Sequence, residues 1–358
     1  MVKIIPFRAV RYRQKNLSEL ICPPYDVIST AQRETLLKRN PHNAVRIELP
    51  DTHISAKNYF EKWKREKVLV KNPQPAFYLY EQNFFYIGKK YTRCGFFALL
   101  KTEKFGKNIF PHEKTHLAPK LDRLNLLKTT GINTSPIFCL FSDTKNVFRK
   151  IAATTKTQKY DMFVSVPTNT SATSETKLEM GNEKMWEISN TKTITVLTNL
   201  LKNNKILIAD GHHRYETFHQ FTSGGYVLTF LCPFEDEGLL ILPTHRLIKN
   251  WTEKETQNLT KFFEKSKNWD FKFYTNSGFV HLKVPQGFDG LAIDYLHSTI
   301  LKNKELNYTK DENEAIKVVN DDEFSAAVIL KPISIKELKT VVDKKCVLPQ
   351  KSTYFYPK

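Results

Sequence analysis

Apolar residues recur along the chain in two rhythms. PAFYLYEQ (75–82), YIGKKYT (86–92) and RCGFFALLKT (93–102) alternate or run apolar with aromatic and β-branched residues. That pattern predicts a hairpin or meander, turning near Gly88. SPIFCLFSD (135–143), KILIA (205–209), YVLTFLCPF (226–234), LLILPTHRLI (239–248) and FSAAVILKP (324–332) read as further strands. Between them the spacing changes to three and four. Ile194, Leu197, Leu200 and Leu201 share one helical face, and VFRKIAATT (147–155), YETFHQF (215–221) and SIKELKTVVDKK (334–345) read as helices. Gly224-Gly225 is positioned to stop the second of these. Strands and helices mix throughout, so the expected class is α/β, of the mixed α+β kind. Residues 156–183 are polar and rich in Ser and Thr, and are expected to form a surface insertion.

Composition narrows the class. The chain has 358 residues, with 25 Phe and 15 Tyr to fill a core. No apolar run approaches the roughly 18 residues that would span a bilayer, and the start, MVKIIPFRAVRYRQ, carries no secretory pattern. Cys22, Cys94, Cys139, Cys232 and Cys346 are scattered without a CxxC pair, which disfavours a disulfide framework or zinc knuckle and makes the cytoplasm the expected location. The net charge of +18 admits three readings: a Lys-rich solvated surface, an anionic small substrate, or nucleic acid. The basic residues are spread along the chain rather than gathered in a stripe, which disfavours nucleic acid.

The chemistry concentrates at KILIADGHHRYETF (205–218). A strand that ends in Asp-Gly and opens a helix makes a tight turn, for which Gly supplies the backbone freedom. The free N–H groups and dipole of the helix start favour an anion. His212, His213 and Arg214 add donors there, and Arg grips phosphate with two bonds. Asp210 is the odd member, an acid among donors. Mg²⁺ bridging a carboxylate and phosphates resolves the conflict, as does a general-base role. An ordinary N-cap Asp beside one packed His is the plain alternative. Zinc is disfavoured because no third and fourth ligand sits at a usual spacing.

Other polar stretches carry similar residue types. PHEKTHLAPKLDRL (111–124) holds Glu113, Lys114, Thr115, Lys120, Asp122 and Arg123; LPTHR (242–246) supplies His245 and Arg246; QKSTYFYPK (350–358) supplies Lys351, Ser352 and Thr353. PPYDVIS (23–29) and NPHNAVRIELP (40–50) read as Pro-bounded turns. Within the latter, Arg46 and Glu48 fit exposed alternates of a strand; an Arg and a Glu are also the residue types that would pair with a carboxylate and an ammonium. There is no GxxxxGK[ST] loop and no GxGxxG after a strand, so two common nucleotide cradles are missing.

The set PFRAVRY, PPYDVIS, PHEKT-x4-K-x-DRL, SPIF, ADGHHRYET, LPTHR and KSTYFYPK spans Pro6 to Lys358. It resembles a family long known only as a domain of unknown function, whose members include pyrophosphate-dependent serine kinases. IADGHHRYETF also resembles the phosphate-cradling segment of ParB/sulfiredoxin-like free-serine kinases. Those archaeal enzymes share the order PHE, DGHHR and a KST-like segment, but here the interval from PHE to DGHHR is long and about a hundred extra residues precede it. The resemblance implies a ParB/sulfiredoxin-like catalytic core over 106–358, with an extra N-terminal α/β section over 1–105. It implies transfer of phosphate from diphosphate to free L-serine, with Mg²⁺ as cofactor. Glu113 would be the base. Asp210 would position the metal or assist proton transfer, alongside His213. His212, Arg214, Lys114, Thr115, Lys120, Arg123, His245, Arg246, Lys351, Ser352 and Thr353 would contact phosphate. The alternatives are a phosphoserine phosphatase or phosphotransferase, a ParB-like nucleic-acid binder, and a serine sensor.

Overall fold

The computed structural model describes residues 1–113, 118–167, 180–262, 269–344 and 346–357. By internal contacts the chain forms two units. One comprises Met1–Pro111, Thr115–Leu239 and Pro357–Lys358; the other comprises residues 112–114 and Leu240–Tyr356.

The first unit is built on a nine-stranded sheet. Its order is Ile109–Pro111, Ile206–Asp210, Ile137–Phe141, Tyr226–Pro233, Lys89–Lys101, Phe77–Tyr86, Met180–Ile188 and Met162–Pro167, with Ile4–Ile5 also on Lys89–Lys101. The sheet is mixed: Ile206–Asp210 runs parallel to Ile109–Pro111 and antiparallel to Ile137–Phe141. The expected hairpin turns at Ile87 and Gly88, both with positive φ (47° and 68°). Such angles match the natural twist of the strands they join. Phe77, Leu79, Phe96, Leu100, Ile137, Phe141 and Leu231 are almost completely excluded from water at its centre. Each such side chain contributes roughly 1.5–3 kcal/mol of transfer free energy. The helices Val147–Lys156, Thr191–Lys202 and His212–Thr222 coincide with three of the expected amphipathic stretches, or extend them by a few residues.

The second unit centres on an antiparallel five-stranded sheet, ordered Gly278–Leu282, Phe271–Thr275, Ala326–Leu330, His245–Ile248 and Leu306–Thr309. Leu240–Leu242 pairs separately with Tyr354–Tyr356. The helix Ile335–Lys344 buries Leu338, Val341 and Val342.

Three expectations change. The 156–183 stretch is not wholly an excursion: Met162–Pro167 and Met180–Ile188 pair with each other, and the latter pairs with Phe77–Tyr86. Trp186 and Ile188 are buried, which holds this arm on the sheet; residues 168–179 lie outside the described set. The main break lies at 239/240 rather than at 105/106, with residues 112–114 grouped with the second unit, and Lys89–Lys101 lies mid-sheet beside Tyr226–Pro233. The segment around Arg46 and Glu48 is a short helix, Val45–Glu48, not a strand, and Glu48 is buried.

Candidate functional site

In the first unit the site grows from the end of strand Ile206–Asp210. Its register against Ile137–Phe141 shifts between Ile208 and Asp210. An irregularity of this kind re-aims the side chain that follows it. Gly211 then takes φ 90°, ψ 26°, and the helix starts at His212. A residue with a Cβ meets steric cost at that φ, and its Cβ would lie 3.0–3.2 Å from the Arg214 guanidinium and Ile137 Cδ1. Gly211 is the N-cap and brings no side chain to cap the helix. Arg214 donates to Asp210 Oδ2 at 2.8 Å, one helical turn apart. His212 is buried and His213 half-buried.

A second layer of groups reaches this corner from distant parts of the sequence. Burial pushes the Tyr25 hydroxyl up from its usual range, while Arg214 and Arg123 pull it down and Asp26 and Asp210 push it further up. Arg123 lies over the Tyr25 ring at 4.1 Å and donates to the Glu48 carbonyl at 2.8 Å. It also donates to Asp122, whose other oxygen lies 3.0 Å from His53 Nε2. Burial alone would raise the Asp122 carboxyl, but bonds from His53 and Arg123 outweigh it and hold it below the usual range. Glu48 Oε1 accepts from the Ser135 hydroxyl and lies 4.0 Å from Arg123. Tyr25, Ser135 and His53 were missed by sequence reasoning. Tyr25 and Ser135 had local signals, in the Pro-Pro-Tyr-Asp turn and the SPIF segment; His53 had none.

The second unit has its own polar cluster. Three successive backbone N–H groups, of Lys351, Ser352 and Thr353, donate to the Glu113 carboxylate at 3.2, 3.0 and 3.1 Å. The Thr353 hydroxyl adds a bond at 3.2 Å, and lies 2.6 Å from His112 Nε2. Lys351 has φ 58°, which helps turn successive N–H groups toward one point. Such a nest of amides suits an anion, and the Glu113 carboxylate fills that role here. The buried Arg246 guanidinium contacts His297 Nε2 at 3.1 Å and the carbonyl of Thr244. Burial brings Arg246 down to about 10, against the opposing pull of Tyr308 and Glu113.

Several candidates are used otherwise. His245 is buried in its strand; Nδ1 accepts the Leu330 N–H at 3.2 Å, and burial lowers it to about 4. Arg46 donates to the Leu37 carbonyl and lies over the Tyr59 ring, which is a packing role. Lys114 and Thr115, and the side chain of Lys120, lie outside the described residues. A cavity of about 430 Å³ lies toward the other end of helix His212–Thr222, lined by Glu103, Phe105, Tyr215 and His219 rather than by the Asp210 corner. Among the described residues no group of three or more His, Cys, Asp or Glu forms a metal cluster, and no helix is long and apolar enough to cross a membrane.

The molecule is thus a mixed α/β protein with a strand–Asp-Gly–helix corner rich in donors. It belongs to the family described as proteins of unknown function, DUF1015, which matches residues 4–332. Solved structures similar to it include a conserved hypothetical protein from Pyrococcus furiosus, at 15% identity and TM-score 0.38, covering 71% of this chain and 91% of that one. A free serine kinase in complex with AMP has 14% identity and TM-score 0.40, covering 71% of this chain and 88% of that one. A C-terminally truncated SbnI from Staphylococcus aureus has 9% identity and TM-score 0.43, covering 73% and 84%. These likenesses are too distant to transfer a residue role. No curated protein matches the chain.

Proposed function

We propose that the protein is a pyrophosphate-dependent L-serine kinase with a ParB/sulfiredoxin-like catalytic core. The reading rests on the set of motifs that resembles that family. The observation that carries it furthest is the corner at Asp210–Arg214. There a left-handed glycine, a helix start without a side-chain cap, and a guanidinium fixed beside a carboxylate offer donors to a phosphate group.

In the proposed reaction the serine hydroxyl oxygen attacks one phosphorus of pyrophosphate. A new P–O bond forms, the bond to the bridging oxygen breaks, and inorganic phosphate leaves. The serine proton passes to Glu113. Little covalent chemistry is asked of the protein; alignment and charge neutralisation supply most of the effect. His212, Arg214 and the helix start hold donor oxygens, with Asp210 and His213 assisting at the same corner. Mg²⁺ generally takes one or two carboxylates and completes its shell with phosphate oxygens and water. Asp210 fits that demand, its carboxylate being one-third exposed. The ion, when bound, would supply charge neutralisation on the phosphates. Lys351, Ser352 and Thr353 present backbone donors of the kind an anion takes, and in this structure they hold Glu113.

Formation of O-phosphoserine from L-serine by the purified protein tests the reading. A protein that forms none, but releases phosphate from phosphoserine, would be a phosphatase instead.

A further inference from the structure

Glu48 is only 5% exposed, and its two carboxylate oxygens are in different situations. Oε1 accepts from the Ser135 hydroxyl and lies 4.0 Å from Arg123. Oε2 is buried and has no hydrogen-bond partner among the described residues. A buried acceptor oxygen without a donor costs free energy, so Oε2 is placed to take a donor from a bound group. The carboxylate is also held firmly. Val45–Glu48 is stitched to the preceding loop by Asn43, which donates to the carbonyls of Glu19 and Ile21 at 2.9 and 3.0 Å and accepts the Val45 N–H. Arg123 fixes the Glu48 carbonyl itself. A rigidly mounted side chain with one unused acceptor is what recognition of a single donor group requires.

We infer that Glu48 is the specificity residue that receives the primary ammonium of an amino-acid ligand, through Oε2. This rests on the serine-kinase reading and deepens it, by naming which chemical feature of the acceptor is selected. Three observations favour a cationic donor over a neutral one. The oxygen belongs to a carboxylate, Oε1 already has its hydroxyl donor, and the nearest guanidinium is committed to Asp122 and the Glu48 carbonyl. Ser135, which bonds Glu48, and Tyr25, which Arg123 overlies, are only partly buried, and the turn Tyr25–Val27 contains no buried residue, so the ligand would approach from this side.

The test compares L-serine with 3-hydroxypropanoate, which keeps the hydroxyl and carboxylate and lacks the ammonium. Binding of each to the wild-type protein is measured by calorimetry with pyrophosphate and Mg²⁺ absent. A site built around a hydrogen-bonded group rejects the analogue lacking it, here by about 100-fold or more. Equal binding of the two, or no L-serine binding, overturns the inference without any variant. Glu48→Gln keeps an acceptor for Ser135 and removes the charge; serine binding should weaken about 10- to 100-fold and the discrimination should shrink with it. If serine is phosphorylated while Glu48→Gln keeps a wild-type KM for serine, this inference falls and the kinase reading stands. If serine binds in a Glu48-dependent way but no donor yields product, the kinase reading falls and this inference stands.

Discussion

Replacing Gly211 by Ala perturbs the corner at its least tolerant point. The residue sits at φ 90°, where an L side chain costs roughly 1–2 kcal/mol. The added Cβ would also lie 3.2 Å from Ile137 Cδ1, and Ile137 is wholly buried, so crowding adds about another 1–2 kcal/mol. Arg214, at 3.0 Å, can move aside, but only by leaving Asp210; that pair is partly exposed, so its loss adds just a few tenths of a kcal/mol. The sum is about 2–4 kcal/mol. For a unit of this size that corresponds to roughly 4–16 °C in Tm. Turnover should fall further than stability explains, because both the helix start and Arg214 shift. Gly88→Ala is the control: φ is 68° and no atom lies within 4 Å of its Cβ, so only the backbone cost of about 1 kcal/mol applies and turnover is unchanged. Thermal denaturation, and serine phosphorylation at 25 °C, are measured on both. A Gly211→Ala protein with wild-type Tm and turnover would refute the reasoning about the corner.

Glu113→Gln should lower turnover by about 10²-fold or more, and speed amide exchange at Lys351–Thr353, whose N–H groups lose a charged acceptor; a near-wild-type rate would remove Glu113 as the base. Arg214→Ala should raise KM for the phosphate donor far more than KM for serine, and an equal rise in both would give Arg214 a purely structural role. Burial lowers His245, and burial with Arg246 lowers His297, each to about 4 from a usual 6.5. The unfolded chain therefore binds these protons first. Their contribution to stability is complete above pH 6.5 and is lost as pH falls toward 4, at up to about 1.4 kcal/mol per pH unit for each. Urea titrations between pH 7 and 4 should follow that slope, and His245→Gln should flatten it; an unchanged slope would count against the buried neutral histidine.

The local features of the fold were legible in the sequence. The hairpin Phe77–Lys101 with its turn at Gly88, the helix Thr191–Lys202 and the strand-to-helix corner at Gly211 each follow from residues adjacent in the chain. What depended on distant partners was not legible. Val45–Glu48 has the alternating apolar look of a strand, and only Arg123 and Ser135, more than 70 residues away, show why Glu48 is buried. His245 looked like a phosphate ligand in LPTHR, but Leu330, 85 residues on, takes its ring nitrogen. The ends of the 156–183 stretch looked solvated because Met162–Pro167 joins the sheet only through Met180–Ile188, whose own partner, Phe77–Tyr86, is remote in sequence. Glu113 and the KST segment were paired as candidates by a family resemblance; their hydrogen bonds, spanning about 240 residues, could be seen only in the folded chain.

The most direct measurement of the central claim follows phosphorus by NMR. The purified protein is incubated with L-serine and Mg²⁺, and with pyrophosphate, ATP or ADP in separate samples. The account predicts that pyrophosphate disappears as O-phosphoserine and inorganic phosphate appear in equal amounts, with no such product in the nucleotide samples. Product from a nucleotide alone would overturn the donor, and no O-phosphoserine from any sample would contradict the kinase itself.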